Sequence, residues 1–343
     1  MEPFVDGFIE TPAGFVPRVR TSMLKSDILG TTVCRIGFGR YDFKVVPGLY
    51  CVGNPTPESP VLVTCNYKLT FDVVRKQLGG LDAWILVADT RGINVWCAAG
   101  KSLFSTEEMI LSAKSARLDE IVSHRELILP QLGATGVAAH KVKKGCGFKV
   151  IYGPIRAEDL PAFIKAGNKA DEAMRMVTFP LKERAVLIPV ELFLLGKLLL
   201  ITLMAAFVLS GFGPDLFSFS AAWSRGLAAV CATVFGILAG SAVVPLILNQ
   251  LPWREFWPKG ALTGVVAGVI CVLLFSNSIG LLESSALILW TTAISSYLAM
   301  NFTGSTPYTS PSGVEAEMCK GIPLQAGAAL LAIIMWVAVP FLG

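Results

Sequence analysis

The hydrophobic pattern of the chain changes character near residue 185. Before that point apolar residues occur in short runs, separated by turns that are rich in glycine and proline. The runs 61–65 and 83–88 are almost entirely apolar, which is typical of strands buried on both faces of a parallel sheet. Strands of this kind alternate with helical stretches, and this alternation predicts an α/β fold with a Rossmann-like parallel sheet.

Other segments before residue 185 have a less regular hydrophobic pattern. Residues 1–30 look like an irregular lead-in, punctuated by proline and glycine. The segments 31–38 and 43–46 alternate apolar and polar positions, and we predict two strands there. Further short strands are expected at 120–123 and 127–129.

After residue 185 the apolar runs are long enough to cross a bilayer. The pattern predicts an all-α membrane domain of five transmembrane helices, near 185–208, 226–248, 260–276, 284–302 and 321–342. We therefore divide the chain into a cytoplasmic domain, 1–180, and a transmembrane domain, 185–343.

The basic residues suggest an orientation for these helices. Lys182 and Arg184 precede the first span, Arg254 and Lys259 lie between the second and third, and Lys320 precedes the fifth. The other two loops carry no basic residue. The positive-inside rule then places the N-terminal domain in the cytoplasm and the C-terminus outside, in a multi-pass protein of the cytoplasmic membrane that contacts membrane lipid.

Charge and cysteine usage narrow the classes of function. The first 184 residues contain 24 basic and 19 acidic residues, and this excess is spread along the domain, so we expect no nucleic-acid partner. The eight cysteines include no C-x-x-C pair, which argues against an iron–sulfur cluster held by this chain alone. A reaction that consumes electrons would need an external reductant.

One stretch, Asn94–Lys101, combines several chemical features. It follows the strand 83–88 and the turn 90–92, so it lies beyond the carboxyl end of a strand, where open α/β sheets bind ligands. Asn94 is a suitable N-cap that would accept a hydrogen bond from the backbone N–H of Cys97. Cys97 would then lie in the first helical turn, where the helix dipole favours the thiolate. The alternative is that Cys97 is simply a packing residue, since cysteine is often buried.

The sequence N-V-W-C-A-A-G-K of this stretch resembles the signature of the corrinoid protein family of microbial mercury methylation, and the resemblance extends over essentially the whole chain. It implies a corrinoid cofactor, cobalamin or a related cobamide, with the Cys97 thiolate as axial ligand of the cobalt and as the catalytic residue. The remaining cofactor-binding residues that it implies in this stretch are Asn94, Val95, Trp96, Ala98, Ala99 and Gly100.

A second resemblance covers about residues 50–165. The sequence P-V-L-V-T-C-N-Y-K-L-T-F-D, residues 60–72, is similar to the corrinoid domain of the corrinoid iron–sulfur protein large subunit. It implies that Asn66 and Thr70 lie at the corrinoid face, and Thr70 is also a candidate N-cap. The loop that follows the strand 148–152 adds Tyr152 and Gly153. Gly133 and Gly136 could bring the backbone close to a bulky ligand.

The first resemblance also implies a reaction. A methyl group would pass from methyl-cobalt, as a carbanion equivalent, to Hg(II), forming methylmercury. The implied partners are a ferredoxin-like protein with two [4Fe–4S] clusters and a methyltetrahydrofolate-linked methyl donor. Neither His124 nor His140 lies in a D-x-H-x-x-G motif, so a histidine ligand of that kind is not expected.

Two other functions remain open at this point. The chain could be a corrinoid methyl carrier for a different acceptor. It could also be a membrane transporter with a cytosolic regulatory domain, for which Glu191 and Lys197 in the first span are the supporting residues.

Overall fold

The structure of the 343-residue chain is a computed structural model, and it describes residues 2–306, 309 and 311–342. The chain forms two compact units, Met1–Val177 and Thr178–Gly343, which are described separately.

A seven-stranded sheet organises the first unit. Its strands are β1 (Val5–Thr11), β2 (Gly14–Val19), β3 (Gly48–Val52), β4 (Val61–Cys65), β5 (Ala83–Ala88), β6 (Glu126–Leu129) and β7 (Lys149–Tyr152). Across the sheet the order is β1-β2-β3-β5-β4-β6-β7.

The sheet is mixed, which corrects the prediction of a parallel Rossmann-like sheet. The four strands β5, β4, β6 and β7 are mutually parallel, whereas β3 runs antiparallel to β5 and β1 pairs antiparallel with β2. Only two residues connect β1 to β2, and so short a connection allows only a hairpin, because a parallel pair needs a long crossover. The parallel arrangement therefore holds where helices connect the strands.

Seven helices accompany this sheet. They are α1 (Lys25–Ile36), α2 (Lys68–Gln77), α3 (Val95–Gly100), α4 (Thr106–Ser115), α5 (Leu118–Ile121), α6 (Ala139–Cys146) and α7 (Leu160–Lys165). Alternate residues of the central strands enter the two apolar cores: Trp84 and Leu86 of β5 face one core, and Ile85 and Val87 face the other. Both faces of the sheet are therefore covered, as the continuous apolar runs predict.

Four local predictions were wrong. Residues 1–30 include the hairpin of β1 and β2, and the first two residues of 120–123 belong to α5. Residues 43–46 form no strand, and only an isolated bridge joins Lys44 to Tyr67. The predicted strand at 31–38 is instead the second half of α1. The β-branched residues of 31–33 favoured a strand, but the ion pairs and packing that fix α1 come from residues far along the chain, which no local pattern reports.

The second unit is helical. Its helices are α8 (Leu181–Ala185), α9 (Ile188–Ser210), α10 (Phe219–Leu238), α11 (Val244–Leu246), α12 (Phe256–Leu274), α13 (Leu281–Asn301) and α14 (Pro311–Ala338), with a small hairpin of β8 (Phe212–Gly213) and β9 (Leu216–Phe217).

Four helical stretches of the described residues are long and apolar enough to cross a membrane. They are Leu181–Ser210, Phe219–Leu246, Phe256–Leu274 and Ser312–Phe341. Four of the five predicted spans meet this criterion, and the span 284–302 does not. The predicted span 284–302 lies within α13, whose serines and threonines lower its hydropathy. Several of them are buried, Thr291 and Ser295 completely, so they face neighbouring helices.

Candidate functional site

A cavity of about 340 Å³ lies at the carboxyl ends of β4, β6 and β7. Its walls come from α2, the start of α3, and the segments that follow β6 and β7. Most of the lining side chains are aliphatic, Leu69, Val73, Val95, Leu132, Ile155 and Leu160 among them. The location is the one that the sheet topology favours for a ligand, and the volume is typical of a small-molecule site.

One polar atom of this cavity has no partner. Thr64, near the end of β4, lines the cavity and is almost fully buried, and its Oγ1 makes no hydrogen bond within the described part of the chain. A buried hydroxyl without a partner is costly, and such groups in proteins usually bind water or a ligand. The site is thus built to accept at least one hydrogen bond from, or donate one to, an occupant.

The cap helix, α3, stands at the rim of the cavity. Asn94 is its N-cap, and Asn94 Oδ1 accepts from the backbone N–H of Cys97 at 2.9 Å, so this prediction is confirmed. Val95 and Trp96 line the cavity, and Trp96 is 38% exposed. Cys97 is exposed, outside the cavity wall. A packing role for the Cys97 side chain therefore does not fit the structure.

The opposite side of the cap helix is anchored. Ala98 and Ala99 are buried in the core, so they hold the helix to the domain. Gly100 is exposed, and a Cβ atom there would meet no other atom within 4 Å. These three residues support the position of Trp96 and Cys97, and none of them lines the cavity.

Asn66 fixes the turn that leads to the cap helix. Its side-chain oxygen accepts three hydrogen bonds of 2.9–3.0 Å, from the backbone N–H and the hydroxyl of Thr90 and from the backbone N–H of Gly92. Its amide nitrogen donates to Asp89 at 2.9 Å. The structure thus gives the Asn66 side chain a positioning role behind the cap helix, and its polar atoms do not face the cavity.

Gly133 and Gly136 also support the cap helix without lining the cavity. A Cβ atom on Gly133 would press on the Phe104 ring, and one on Gly136 would collide with the Phe104 carbonyl oxygen and with Ala99. These glycines let the segment after β6 pack directly against the cap helix. Their backbone does not line the cavity, although the neighbouring Leu132 does.

Of the remaining predicted residues, Thr70 and Gly153 line the cavity and Tyr152 does not. Thr70 lines the cavity from the first turn of α2, but the N-cap of that helix is Tyr67, so the capping prediction for Thr70 was wrong. Gly153 lines the cavity as well. The hydroxyl of Tyr152 donates to the carbonyl of Val137 at 2.6 Å, and burial raises the pKa of this tyrosine. Tyr152 therefore ties two walls together.

The cysteines of this unit differ sharply in environment. Burial raises the pKa of the Cys51 thiol to about 12, and burial also raises that of Cys65. Cys34 is buried and Cys146 is half-buried, which leaves Cys97 as the exposed cysteine of the first unit. Thiolate chemistry in this unit is thus most accessible at the cap helix.

Sequence reasoning missed Thr64, Val73 and Leu132. A signal did exist for Thr64, because it is a hydroxyl residue inside the apolar run of β4. The other two are aliphatic residues whose place in the cavity depends on the three-dimensional packing of α2 and of the segment after β6.

Together, the sheet edge, the cavity and the cap helix describe an α/β domain with a candidate ligand site. Comparison with known proteins indicates the class of protein that this domain resembles. Residues 39–164 match the family of the CO dehydrogenase/acetyl-CoA synthase delta subunit. This region contains the whole of the cavity wall and the cap helix.

Curated relatives match the same part of the chain. The acetyl-CoA decarbonylase/synthase complex subunit gamma of Archaeoglobus fulgidus is 32% identical over 118 residues, which are 34% of this chain and 25% of the relative. The Methanopyrus kandleri subunit gamma is 33% identical over 124 residues, 36% of this chain and 26% of the relative. The corrinoid/iron-sulfur protein large subunit of Moorella thermoacetica is 32% identical over 117 residues, 34% and 26% of the two chains. The chain thus spans about a quarter of the length of these relatives.

Proposed function

We propose that the first unit binds a corrinoid and carries a methyl group on it. The observation that carries this proposal is the coincidence of two findings in one region. The segment that is similar to a corrinoid/iron-sulfur protein is the segment that forms an apolar cavity at the carboxyl edge of the sheet. A methyl carrier for an acetyl-CoA-type system and one for another acceptor share this element.

The residues present fit such a cofactor. The cavity is large enough for part of a corrinoid, and the Thr64 hydroxyl would meet a polar group of the occupant. Trp96 and Cys97 lie exposed beside it on a helix fixed by Asn94 and Asn66. A bound corrinoid would supply the cobalt centre on which a methyl group is carried. The protein supplies orientation and access.

We further propose that the Cys97 thiolate is the protein ligand of that centre. The exposed position of Cys97 and the Asn94 cap support this role, and metal coordination favours the deprotonated thiol. The buried Cys51 and Cys65 are unsuited to it, because burial holds their protons. A thiolate in that position would hold the metal and donate electron density to it.

Hg(II) is the acceptor that we propose, on the resemblance of N-V-W-C-A-A-G-K to the mercury-methylation family. This step rests on that resemblance and not on the matched relatives, which are acetyl-CoA decarbonylase/synthase and corrinoid/iron-sulfur protein subunits. The proposal includes a ferredoxin-like partner with two [4Fe–4S] clusters and a methyltetrahydrofolate-linked donor.

A spectroscopic experiment tests the cofactor and its ligand together. Full-length protein, purified anaerobically, should retain added cobalamin through a desalting column, with an absorbance spectrum that differs from the free cofactor. Cys97→Ala should change that spectrum and abolish methylmercury formation, while the matched control Cys146→Ala should change neither. Cobalamin that elutes unbound from wild-type protein would refute the proposal. A bound corrinoid without methylmercury formation would favour the carrier for another acceptor.

The second unit is proposed to anchor this domain in the cytoplasmic membrane, with the N-terminal unit in the cytoplasm. We propose that α13 crosses together with the four apolar stretches. It has 21 residues, about 30 Å of helix, which matches the hydrocarbon core of a bilayer. It packs against α10, α12 and α14, and its buried hydroxyls bond inside the bundle, as Ser295 does to Thr263 at 3.1 Å.

Five crossings place the C-terminus outside, whereas four return it to the cytoplasm. A C-terminal alkaline phosphatase fusion should therefore be active, because this enzyme works only outside the cytoplasm. If the phosphatase fusion is inactive and a C-terminal GFP fusion is fluorescent, the C-terminus lies in the cytoplasm. The proposal that α13 crosses the membrane would then be wrong.

A further inference from the structure

Helix α1 presents its apolar side to the outside of the protein. The exposed positions follow the spacing of one helix face: Ile28 is 57% exposed, Leu29 65%, Val33 38% and Ile36 41%. The buried positions of the same helix are Asp27 and Cys34, of which Asp27 is charged. A helix of a water-soluble domain normally points its apolar stripe inward, so the orientation of α1 is inverted.

The segment after α1 extends this exposed surface. Phe38 is 59% exposed, Tyr41 74% and Val46 64%. We call the exposed side of α1 together with residues 37–46 the α1 face. Contiguous apolar surface of this kind marks an interaction site more often than scattered single residues do.

The α1 face is continuous with the turn that carries the cap helix. Any Cβ atom on Gly92 would lie 3.3 Å from the Tyr41 carbonyl oxygen and 3.5 Å from Lys44. Two residues beyond Gly92, Asn94 begins the cap helix. An occupant that reaches residues 41–44 of the α1 face would therefore lie against the turn that leads to the cap helix.

The same segment, residues 25–46, carries four cations. Lys25, Arg35, Arg40 and Lys44 have no ion-pair partner among the described residues. Arg35 has a buried Nε without a hydrogen-bond partner, and the Arg40 guanidinium stacks on the Tyr67 ring. Across α1 and 37–46 the opposing acid at the surface is Asp42, since Asp27 is engaged with Lys68 and Arg75. An apolar surface that carries cations without ion-pair partners is complementary to an acidic protein surface.

We propose that the α1 face docks a small acidic protein at the edge of the cap helix. Resting on the proposed function, we infer that this partner is an iron–sulfur electron carrier. A second copy of the chain fits less well, because a two-fold contact would bring the same cations together. An anionic bilayer shares the charge complementarity, and the experiment separates it from a protein.

Binding to the chain without corrinoid tests the docking surface directly. The full chain in phosphatidylcholine nanodiscs is titrated with an acidic ferredoxin that contains two [4Fe–4S] clusters, and association and dissociation are followed by biolayer interferometry. Leu29→Glu should weaken binding at least tenfold. Lys44→Glu should slow association several-fold and flatten its dependence on salt, because steering charges act mainly on the association rate.

Matched controls make the measurement specific. Phe15→Glu places a charge on a residue of β2 that is 71% exposed, and Lys143→Glu reverses an exposed cation of α6. Both should leave the affinity within twofold of the wild type. Wild-type protein that does not bind the ferredoxin at low salt, or variants that all bind equally, would overturn the proposal.

A photo-crosslinker distinguishes the occupants. Benzoylphenylalanine in place of Leu29 should yield a ferredoxin adduct, also in phosphatidylglycerol nanodiscs. A lipid adduct or a homodimer in place of the ferredoxin adduct would overturn the assignment. Cobalamin retention by Leu29→Glu is measured in parallel. If this variant retains cobalamin and still binds ferredoxin as the wild type does, the docking surface alone is refuted. If the wild-type protein retains no cobalamin, the proposed function alone is refuted.

Discussion

The two units of this chain differ in the side chains that they bury. The core of the first unit is made of large apolar residues, such as Phe71, Ile85 and Phe163. The interior of the second unit contains many small residues, such as Ala228 and Ala232, beside some large ones such as Phe256, while many of its large apolar residues are exposed: Ile201 is 57% exposed and Leu273 68%.

The difference supports the proposal that the second unit lies in lipid, whereas the first unit has the core of a domain that folds in water. In water, burial of large apolar side chains drives folding. In lipid that drive is absent between helices, so close backbone packing through small residues takes its place. Gly260, Gly264 and Gly268 of α12 illustrate this, because a Cβ on any of them would press on the backbone of α13. The α1 face is an exception in the first unit, because its large apolar side chains are exposed.

The first unit also buries a network of ion pairs in which every charge has a partner. The Arg75 guanidinium is fully buried and lies 2.7 Å from both Asp27 and Asp72, and Lys68 lies 2.8 and 2.6 Å from the same two carboxylates. Two cations match two anions, so the network is neutral. It joins α1 to α2, which forms a wall of the cavity.

Arg75→Ala should have the largest effect, a loss of about 3–5 kcal/mol in the free energy of unfolding, because it leaves two buried carboxylates with a single cation. Urea unfolding of the full chain in detergent, followed by the fluorescence of Trp84 and the other tryptophans, measures it. Lys76→Ala, an exposed neighbour on α2, should change stability by no more than about 0.5 kcal/mol. Equal effects of the two variants would mean that the network does not stabilise the unit.

The same network gives a dependence on pH. Burial alone would raise the pKa of Asp27, but hydrogen bonds from Lys68, Arg75 and the Leu24 amide outweigh it and hold the pKa below its ordinary value of 3.8. A carboxylate with a depressed pKa stabilises the folded state above the unfolded-state pKa, and this contribution is lost as the pH falls through the folded-state pKa. Stability should therefore be level above about pH 5 and decline below pH 3.8. Arg75→Ala should reduce the decline.

The second unit should respond to added bulk. Gly264→Leu would force α12 away from Thr292 and Ser295 of α13, and overpacking of this kind costs roughly 1–3 kcal/mol. Gly196→Leu is the control, since a Cβ at Gly196 meets nothing within 4 Å. Thermal unfolding in nanodiscs should show a lower midpoint for Gly264→Leu only. A midpoint unchanged by Gly264→Leu would break the comparison between the two interiors.

The sequence predicts best where a local signal and the fold agree. The buried strands β4 and β5 were evident from their apolar runs, and the Asn94 cap from its position before a short helix. Helix α1 was missed because the β-branched residues of 31–33 favour a strand and its stabilising ion pairs lie more than 40 residues away, at Lys68 and Arg75.

Site prediction has a similar limit. The residues of the cap helix were identified by their motif, but the functions of Asn66 and Gly136 depend on contacts 24 to 37 residues distant in sequence. A local pattern cannot tell a residue that faces the ligand from one that holds the facing element. Only the folded geometry separates the two.

The cap helix allows a matched glycine comparison. Gly136→Val would collide with Phe104 and Ala99 and tilt the cap helix, at a cost of about 1–3 kcal/mol. Gly100→Ala meets no neighbour, so it should stabilise the helix by about 0.5–1 kcal/mol. Cobalamin retention should fall for Gly136→Val and persist for Gly100→Ala. Equal retention would show that the cap helix does not position the site.

The smallest effect is expected at Asn94, where geometry and charge can be separated. Asn94→Ala removes the acceptor for the Cys97 amide and should destabilise the cap helix by roughly 0.5–2 kcal/mol. Asn94→Asp keeps an acceptor but adds a negative charge that disfavours a nearby thiolate. Since coordination to a metal would itself stabilise the thiolate, we expect geometry to dominate and Asn94→Ala to lower methyl transfer more than Asn94→Asp. Methylation rates at matched protein levels decide between them: a slower Asp variant would make charge the controlling factor, and indifference to both would mean that the orientation of Cys97 does not depend on its cap.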